Sequence, residues 1–289
     1  MSAALPADLR GGRGERTFGL LRELRRRPEM VLALVIVGFL LFTALFPGAL
    51  TDLSPTDVDV AGALQPPSAA HWFGTDDVGR DVFARVIYGT RVTLSIVAGS
   101  LAISAVLGGL AGLVAGYFGR WPDMVAARGV DVILSFPPII LGVVITGVLG
   151  TGITNLVMAL AIVYLPLFFR IARAGAIAEA GRTYVEAARS LGVPEWQILV
   201  RHVLRNVLPL ILVQYMILFP LALQIEAALG FLGLGIQPPT PDWGAILEQS
   251  KNYLLFAPWM SVFPGLFIVL AASGVILLGR SVQRIVDAA

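Results

Sequence analysis

Few residues in this chain could carry chemistry. There is no cysteine among the 289 residues, and the two histidines, His71 and His202, lie 131 positions apart. Disulfides, thiol nucleophiles and thiolate metal sites are thereby excluded, and little material remains for a histidine metal cluster. No H-E-x-x-H occurs, and serine and histidine are too scattered to compose a nucleophile–base set. Nor is there a G-x-x-x-x-G-K-[ST] segment: Lys251 is the sole lysine, so ATP hydrolysis by this chain is not expected. What remains is a cluster of opposite charges, Asp76, Asp77, Arg80, Asp81 and Arg85, and a solitary Glu226. Grouped acids suggest a metal site. Alternating Asp and Arg at i,i+4 spacing are better explained as mutual pairing, each pair stabilising a helix by about 0.2–0.5 kcal/mol. No metal and no cofactor are expected on this chain.

The elements that position these residues follow from composition. The chain is 57% hydrophobic and 14% charged, with a mean hydropathy of +0.82. An average soluble domain is about 25% charged, so these few charges could not cover a single water-facing surface, and the apolar content excludes disorder. A membrane helix needs about 20 mostly apolar residues. Charge-free stretches of that length occur at 30–51, 92–119, 206–225 and 252–279. A fifth, 132–169, holds 38 uncharged residues and would run about 57 Å as one helix, so it is expected to break at the turn-forming cluster Gly150–Asn155 into a hairpin of two spans. The expectation is an all-α membrane protein of six transmembrane helices. Its parts are a basic N-terminal segment over 1–29, a first span over 30–50, an external loop over 51–91, a five-helix core over 92–282 containing a loop at 174–205, and a C-terminal segment over 283–289.

Orientation follows from the positive charges. With both termini inside, seventeen arginines fall on the inner side against Arg80, Arg85, Arg91 and Lys251 outside. Trp121 and Trp259 fall near predicted span ends, where amphipathic rings favour the interface. Reading 30–50 as a cleaved signal peptide is disfavoured, because the stretch is long and lacks an A-x-A site. Before it, Phe18, Leu20, Leu21 and Leu24 alternate with arginines, as in a helix lying on the anionic inner leaflet or in a disordered basic tail.

Two further segments have definite expectations. In the inner loop, a helical run through Tyr184, Glu186, Ala187 and Ala188 reaches Leu191, and Gly192-Val193-Pro194 then punctuates two helices joined by a tight turn. Glu195 is expected to complement the positive end of the second helix. The result is a rigid knob tied to a span at either side, slender at its alanines, through which an external motor could work a gate. Before the second span, Thr75 is expected to cap a short interfacial helix ending near Gly89, with Asp76–Arg80 and Asp81–Arg85 as its ion pairs. Glu226 is expected to face protein or water, where it either contacts substrate or is satisfied by a helix end or an external arginine, with Gln224 and Gln214 below it. Asp131 and Arg128 are expected to pair at i,i+3.

The motif Glu186-Ala187-Ala188-x-x-x-Gly192 resembles the E-A-A-x-x-x-G signature of ABC importer permease subunits. The run from His71 through Gly74-Thr75-Asp76, Gly79-Arg80-Asp81, Arg85, Gly89 and Arg91 to Leu94 is similar to the segment before span two in the C-type permeases of the dipeptide, oligopeptide and nickel group. Residues 230–244, from Gly230-Phe231-Leu232-Gly233 to Trp243-Gly244, resemble a second run of that group. His202-x-Leu204-Arg205-Asn206 departs from its H-x-L-P-N, with arginine in place of proline. The resemblance implies a type I ABC importer permease architecture with a cytoplasmic coupling helix in a bacterial plasma membrane, carrying peptides or, alternatively, nickel or another small solute. It implies as partners a homologous second permease, two ATPase domains (separate or fused) holding ATP and Mg, an extracytoplasmic substrate-binding protein, a peptide substrate and membrane lipids. It implies ATPase coupling through Tyr184, Glu186, Ala187, Ala188, Leu191, Gly192, Val193 and Pro194. Candidate path or gate residues are Gln214, Gln224 and Glu226. Asp76, Arg80, Asp81, Arg85 and Trp243 are expected to face the binding protein or to be external structural residues. A DNA-reading helix-turn-helix is disfavoured because the knob is pinned against the bilayer, so no nucleic acid is expected. A stand-alone secondary transporter is disfavoured because its spans would carry ionisable groups, and only Glu226 qualifies.

Overall fold

The computed structural model describes residues 28–286. The basic stretch bearing Phe18 and Leu24 and the last three residues lie outside the described residues. The described chain is helical: α1 Pro28–Leu45, α2 Val82–Phe118, α3 Arg120–Leu134, α4 Pro138–Leu149, α5 Ile153–Ala180, α6 Thr183–Ser190, α7 Glu195–Phe231, α8 Trp243–Ser250 and α9 Trp259–Val286. Within α7, residues Leu199–Val203 form a π turn.

Five of these helices, α1, α2, α5, α7 and α9, are long and apolar enough to cross a membrane. The third expected span differs. It consists of α3 and α4, bent by 91° at a short break, and counts as a sixth crossing only if the bent pair is one span. At about 1.5 Å per residue, the 12 residues of α4 reach only ~18 Å, short of a ~30 Å hydrocarbon layer. The cause is Pro137-Pro138. A residue before proline avoids the α-helical region, so Phe136 and Pro137 leave helical geometry and Pro138 starts a new helix. The other end is as expected, with the chain turning at Gly150 and Gly152 into α5.

Helix α2 is a 37-residue rod of about 55 Å, and it makes the tightest seam of the fold with α5. Ser104, Gly108, Gly112 and Gly116 recur every fourth residue on one face of α2. Opposite them stand the carbonyls of Ala161, Leu165, Phe169 and Arg173, also four apart. Ser104 Oγ donates to the Ala161 carbonyl at 2.8 Å. A methyl group added at Gly108, Gly112 or Gly116 would lie 2.4, 2.2 or 2.4 Å from the Leu165, Phe169 or Arg173 oxygen. Backbone thus rests directly on backbone, the arrangement that holds helices together where no hydrophobic drive separates protein from lipid.

Helix α7 and the segment after it close one end of the bundle. Gly230, Gly235 and Gly244 pack backbone to backbone, so a methyl group at Gly230 would meet the Gly244 Cα at 2.7 Å. Asp242 caps α8 by accepting from the Ala245 N–H at 3.1 Å and takes the Thr93 hydroxyl at 2.7 Å. Trp243 is fully buried and donates its indole N–H to the Val86 carbonyl at 3.1 Å.

Candidate functional site

Two polar constructions stand at opposite ends of α2. The first gathers the charged residues before it. Helix α2 begins at Val82, capped by Asp81 rather than Thr75, and runs past Gly89 without a break, so the expected short interfacial helix is instead a turn leading into a long rod. The turn forms because Asp76 Oδ1 accepts from the backbone N–H of Val78 and Arg80, at 3.0 and 2.9 Å. Gly79 sits at its corner with φ +82°, where any Cβ would strike the Asp59 carbonyl at 1.8 Å. Asp76 and Arg80 do pair, Nε to Oδ2 at 2.6 Å, but across this turn. Asp81 does not pair with Arg85. It accepts from the Ala84 N–H at 2.7 Å and lies 2.8 Å from His71 Nδ1. Arg85 reaches Asp76 at 3.5 Å, and both Arg80 and Arg85 donate to Gln249 Oε1 on α8, at 3.1 and 3.0 Å.

Asp76, Arg80, Asp81, Arg85 and Trp243 are all buried, so none of these side chains is turned outward. The cluster is a clamp joining the external segment, the start of α2 and α8. Burial, and then the neighbouring Asp76 carboxylate, push the Asp77 carboxyl above its ordinary range. Among the described residues no group of three or more acids or histidines could hold a metal ion.

The second construction is the knob. Helices α6 and α7 meet at Gly192, whose φ of +76° lies in the left-handed region that glycine enters freely and whose missing Cβ faces open space. Val185 is buried and anchors α6 inward, while Glu186, Ala187 and Pro194 are exposed and Ala188 and Val193 half-buried. At the tip Leu191 is 83% and Trp196 64% exposed, a pair of large apolar side chains standing in solvent. Trp196 was not legible as a tip residue, because its place on the surface depends on how α7 emerges from the turn.

Hydrogen bonds tie the knob to three long helices. Tyr184 donates its hydroxyl to Glu179 Oε2 at 2.5 Å, and Asn206 donates to that same oxygen at 2.9 Å and to the Tyr184 hydroxyl at 3.1 Å. This triad joins the end of α5, the knob and a point about three turns into α7, and it gives the His202–Asn206 motif a structural purpose. Burial, and then the bond to Glu179, push the Tyr184 hydroxyl pKa upward. Glu195 does not simply complement its helix end: it takes Arg189 Nε at 2.9 Å and the hydroxyl of Tyr117 from the far end of α2. Arg189 lies over the Tyr117 ring at 5.5 Å. Beside the knob, Arg201, His202, Arg205 and Asn206 line a basic concavity. The expected Asp131–Arg128 pair is replaced by bridges between helices, Arg170 to Asp131 at 2.8 Å and Arg173 to Asp123, which fasten α3 to α5.

The three candidate path residues are not brought together. Glu226 is fully buried against the α8 cap, with Asp242 as its charged neighbour, and neither of its oxygens finds a hydrogen-bond partner among the described residues. Gln224 is exposed and Gln214 half-buried on other faces of α7.

Residues 108–289 match the family described as binding-protein-dependent transport system inner membrane component. The chain is similar to the dipeptide transport system permease protein of Alkalihalophilus pseudofirmus, at 38% identity over 266 residues that cover 92% of this chain and 88% of that one. It is 38% identical to the probable D,D-dipeptide transport system permease protein of Escherichia coli, over 91% of this chain and 89% of that one. It is also 38% identical to the glutathione transport system permease protein of Pectobacterium atrosepticum, over 76% and 73% of the two chains.

Proposed function

This chain belongs to the family of binding-protein-dependent transport system inner membrane components, and from that premise we propose how it works. It is a permease subunit of an ATP-driven peptide importer and forms part of a transmembrane path rather than an enzyme. A homologous second permease supplies the other half of the path, and an extracytoplasmic binding protein delivers the peptide. Two ATPase domains, carrying ATP and Mg, engage this knob and its counterpart on the second permease from the cytoplasm. Both termini lie on the cytoplasmic side, a reading supported by the arginine bias and by the basic concavity beside the knob. Gln224 and Gln214, with accessible faces on α7, are the path candidates, and Glu226 acts from within the protein on the packing of α8.

The observation that carries this reading is the knob itself. Its exposed Leu191 and Trp196 suit a groove on a partner, and the hydrogen bonds of Tyr184, Asn206 and Glu195 tie it to α5, α7 and α2. Closure of the ATPases on binding ATP pulls the knob, and the attached helices rock as a unit from an inward-open to an outward-open arrangement. Ala187, Ala188, Glu186, Val193 and Pro194 shape the tip that docks. The test is a complex reconstituted into proteoliposomes and supplied with a labelled dipeptide. Gly192→Val strains the turn by about 1–2 kcal/mol, because a side chain must then occupy left-handed backbone. Uptake per ATP hydrolysed should fall severalfold while the amount of chain in the membrane holds. Normal uptake with normal hydrolysis would count against the knob as the coupling element.

A further inference from the structure

A cavity of about 470 Å³ lies between α1, α2, α7 and α9. Its walls are apolar, with Leu41, Leu94, Phe219 and Val275 among them, and it extends from Leu45, the last residue of α1, to Val37 on α1 and Leu278 on α9. The stretch from Leu45 to Val37 is about 12 Å along the helix. The two hydroxyls at its edge are already committed, Ser95 donating to the Val92 carbonyl at 2.8 Å and Tyr215 to the Ala98 carbonyl at 2.9 Å. A single cation belongs to the lining. Arg91 lies on α2 at the end of the cavity away from the knob, is exposed, and makes no hydrogen bond or ion pair among the described residues. The other arginines at that end, Arg80 and Arg85, are held by Asp76 and Gln249.

We infer that this cavity is a site for one anionic phospholipid, its acyl chain lying along the apolar walls and its phosphate held by Arg91. The volume is ample for an acyl chain, at about 470 Å³ of apolar-walled space. Arg91 stands about two and a half turns into α2, and the length of an arginine lets its charge reach the interface while its stem lies along apolar surface. An acyl chain leaves the bilayer without hydrophobic gain, so the selectivity resides in the guanidinium, whose paired N–H groups match phosphate oxygens. A peptide is a poor occupant, since away from Arg91 and the two hydroxyls its amide groups would meet walls that offer no donor or acceptor. On the orientation proposed above, on which this reading rests, the lipid belongs to the outer leaflet. A reversed orientation would change the leaflet and leave the lipid selectivity in place.

The test uses the intact complex in nanodiscs of equal parts phosphatidylglycerol and phosphatidylcholine. Retained lipid is counted by native mass spectrometry after release into mild detergent. One phosphatidylglycerol per copy of this chain is expected, at least fivefold over phosphatidylcholine. Arg91→Gln should abolish that preference, and Arg91→Lys should keep part of it. Ser95→Phe, which fills the mouth and leaves the charge, should lower retention of both lipids and carries the test if the arginine variants do not accumulate. Equal retention of the two lipids by the unaltered complex overturns the inference, as does an undiminished preference in Arg91→Gln. So does a photo-cross-linker at Leu94 that labels a protein partner instead of lipid.

Discussion

Substituting Gly112 by alanine adds one methyl group at the closest point of the seam between α2 and α5. That methyl group would stand 2.2 Å from the Phe169 carbonyl oxygen, where ordinary contact begins at 3.4 Å, so the helices must part by about 1.2 Å. Parting at this position also loosens Gly108 and Gly116, one turn to either side, and lengthens the Ser104–Ala161 hydrogen bond two turns away. Overpacking of this kind costs about 1–3 kcal/mol. A weakened interhelical hydrogen bond in a membrane protein adds roughly 0.6 kcal/mol. Alanine returns about 1 kcal/mol through its better helix propensity. The expected net loss is therefore roughly 0.6–2.6 kcal/mol. Gly99 on the same helix is the control, since its added methyl group would meet nothing within 4 Å. Gly99→Ala should leave stability unchanged or raise it by up to about 1 kcal/mol. The assay is the fraction folded against SDS content for the purified chain in mixed micelles. If Gly112→Ala is as stable as the parent, or Gly99→Ala is equally damaging, the direct backbone contact is not what holds these helices together.

Three further expectations concern the two ends of α2. Asn206→Ala and Tyr184→Phe each remove two of the three hydrogen bonds of the triad, the bond between them being lost in both, and each should destabilise by about 1–3 kcal/mol; ATP hydrolysed per peptide transported should rise at least threefold, measured in proteoliposomes. Asp76→Asn leaves two buried arginines short of a counter-charge, a change that costs about 3–5 kcal/mol, and should lower the thermal midpoint of the complex far more than Asp52→Asn in the external loop, where the carboxyl is exposed. Because the chain has no cysteine, a single Leu191→Cys variant reports sidedness cleanly, and a membrane-impermeant maleimide should label it only from the cytoplasmic side of sealed vesicles.

What the sequence made legible was governed by local rules. Apolar length located the long helices, and the glycines at 150 and 152 marked a real turn. Gly192 and Pro194 marked the knob. Errors arose where one spacing serves two geometries. Residues four apart meet on a helix, but Asp76 and Arg80 meet equally well across a turn cornered by Gly79, so the charge pattern did not reveal where α2 begins. The bend at Pro137-Pro138 was hidden because counting uncharged residues ignores the backbone. Contacts between distant segments were beyond reach: nothing near Arg85 in sequence points to Gln249, and nothing near Glu195 points to Tyr117. The stripe of Gly108, Gly112 and Gly116 is visible in the sequence. Its meaning comes only from the carbonyls of α5 that lie against it.

The π turn at Leu199–Val203 has a bearing on protein engineering. A widened turn holds one residue more than its α-helical counterpart, and each residue advances the helix by about 100°, so the turn sets the rotational phase between the knob and everything beyond Leu204. A chimera that grafts a relative's hairpin onto this scaffold would have to carry Leu199–Val203 intact on one side of the splice. If the joint fell inside those five residues, the downstream helix would be dialled round by about a quarter of a revolution, and Val207 and Ile211, now buried, would be presented where Leu208 and Leu212 stand exposed.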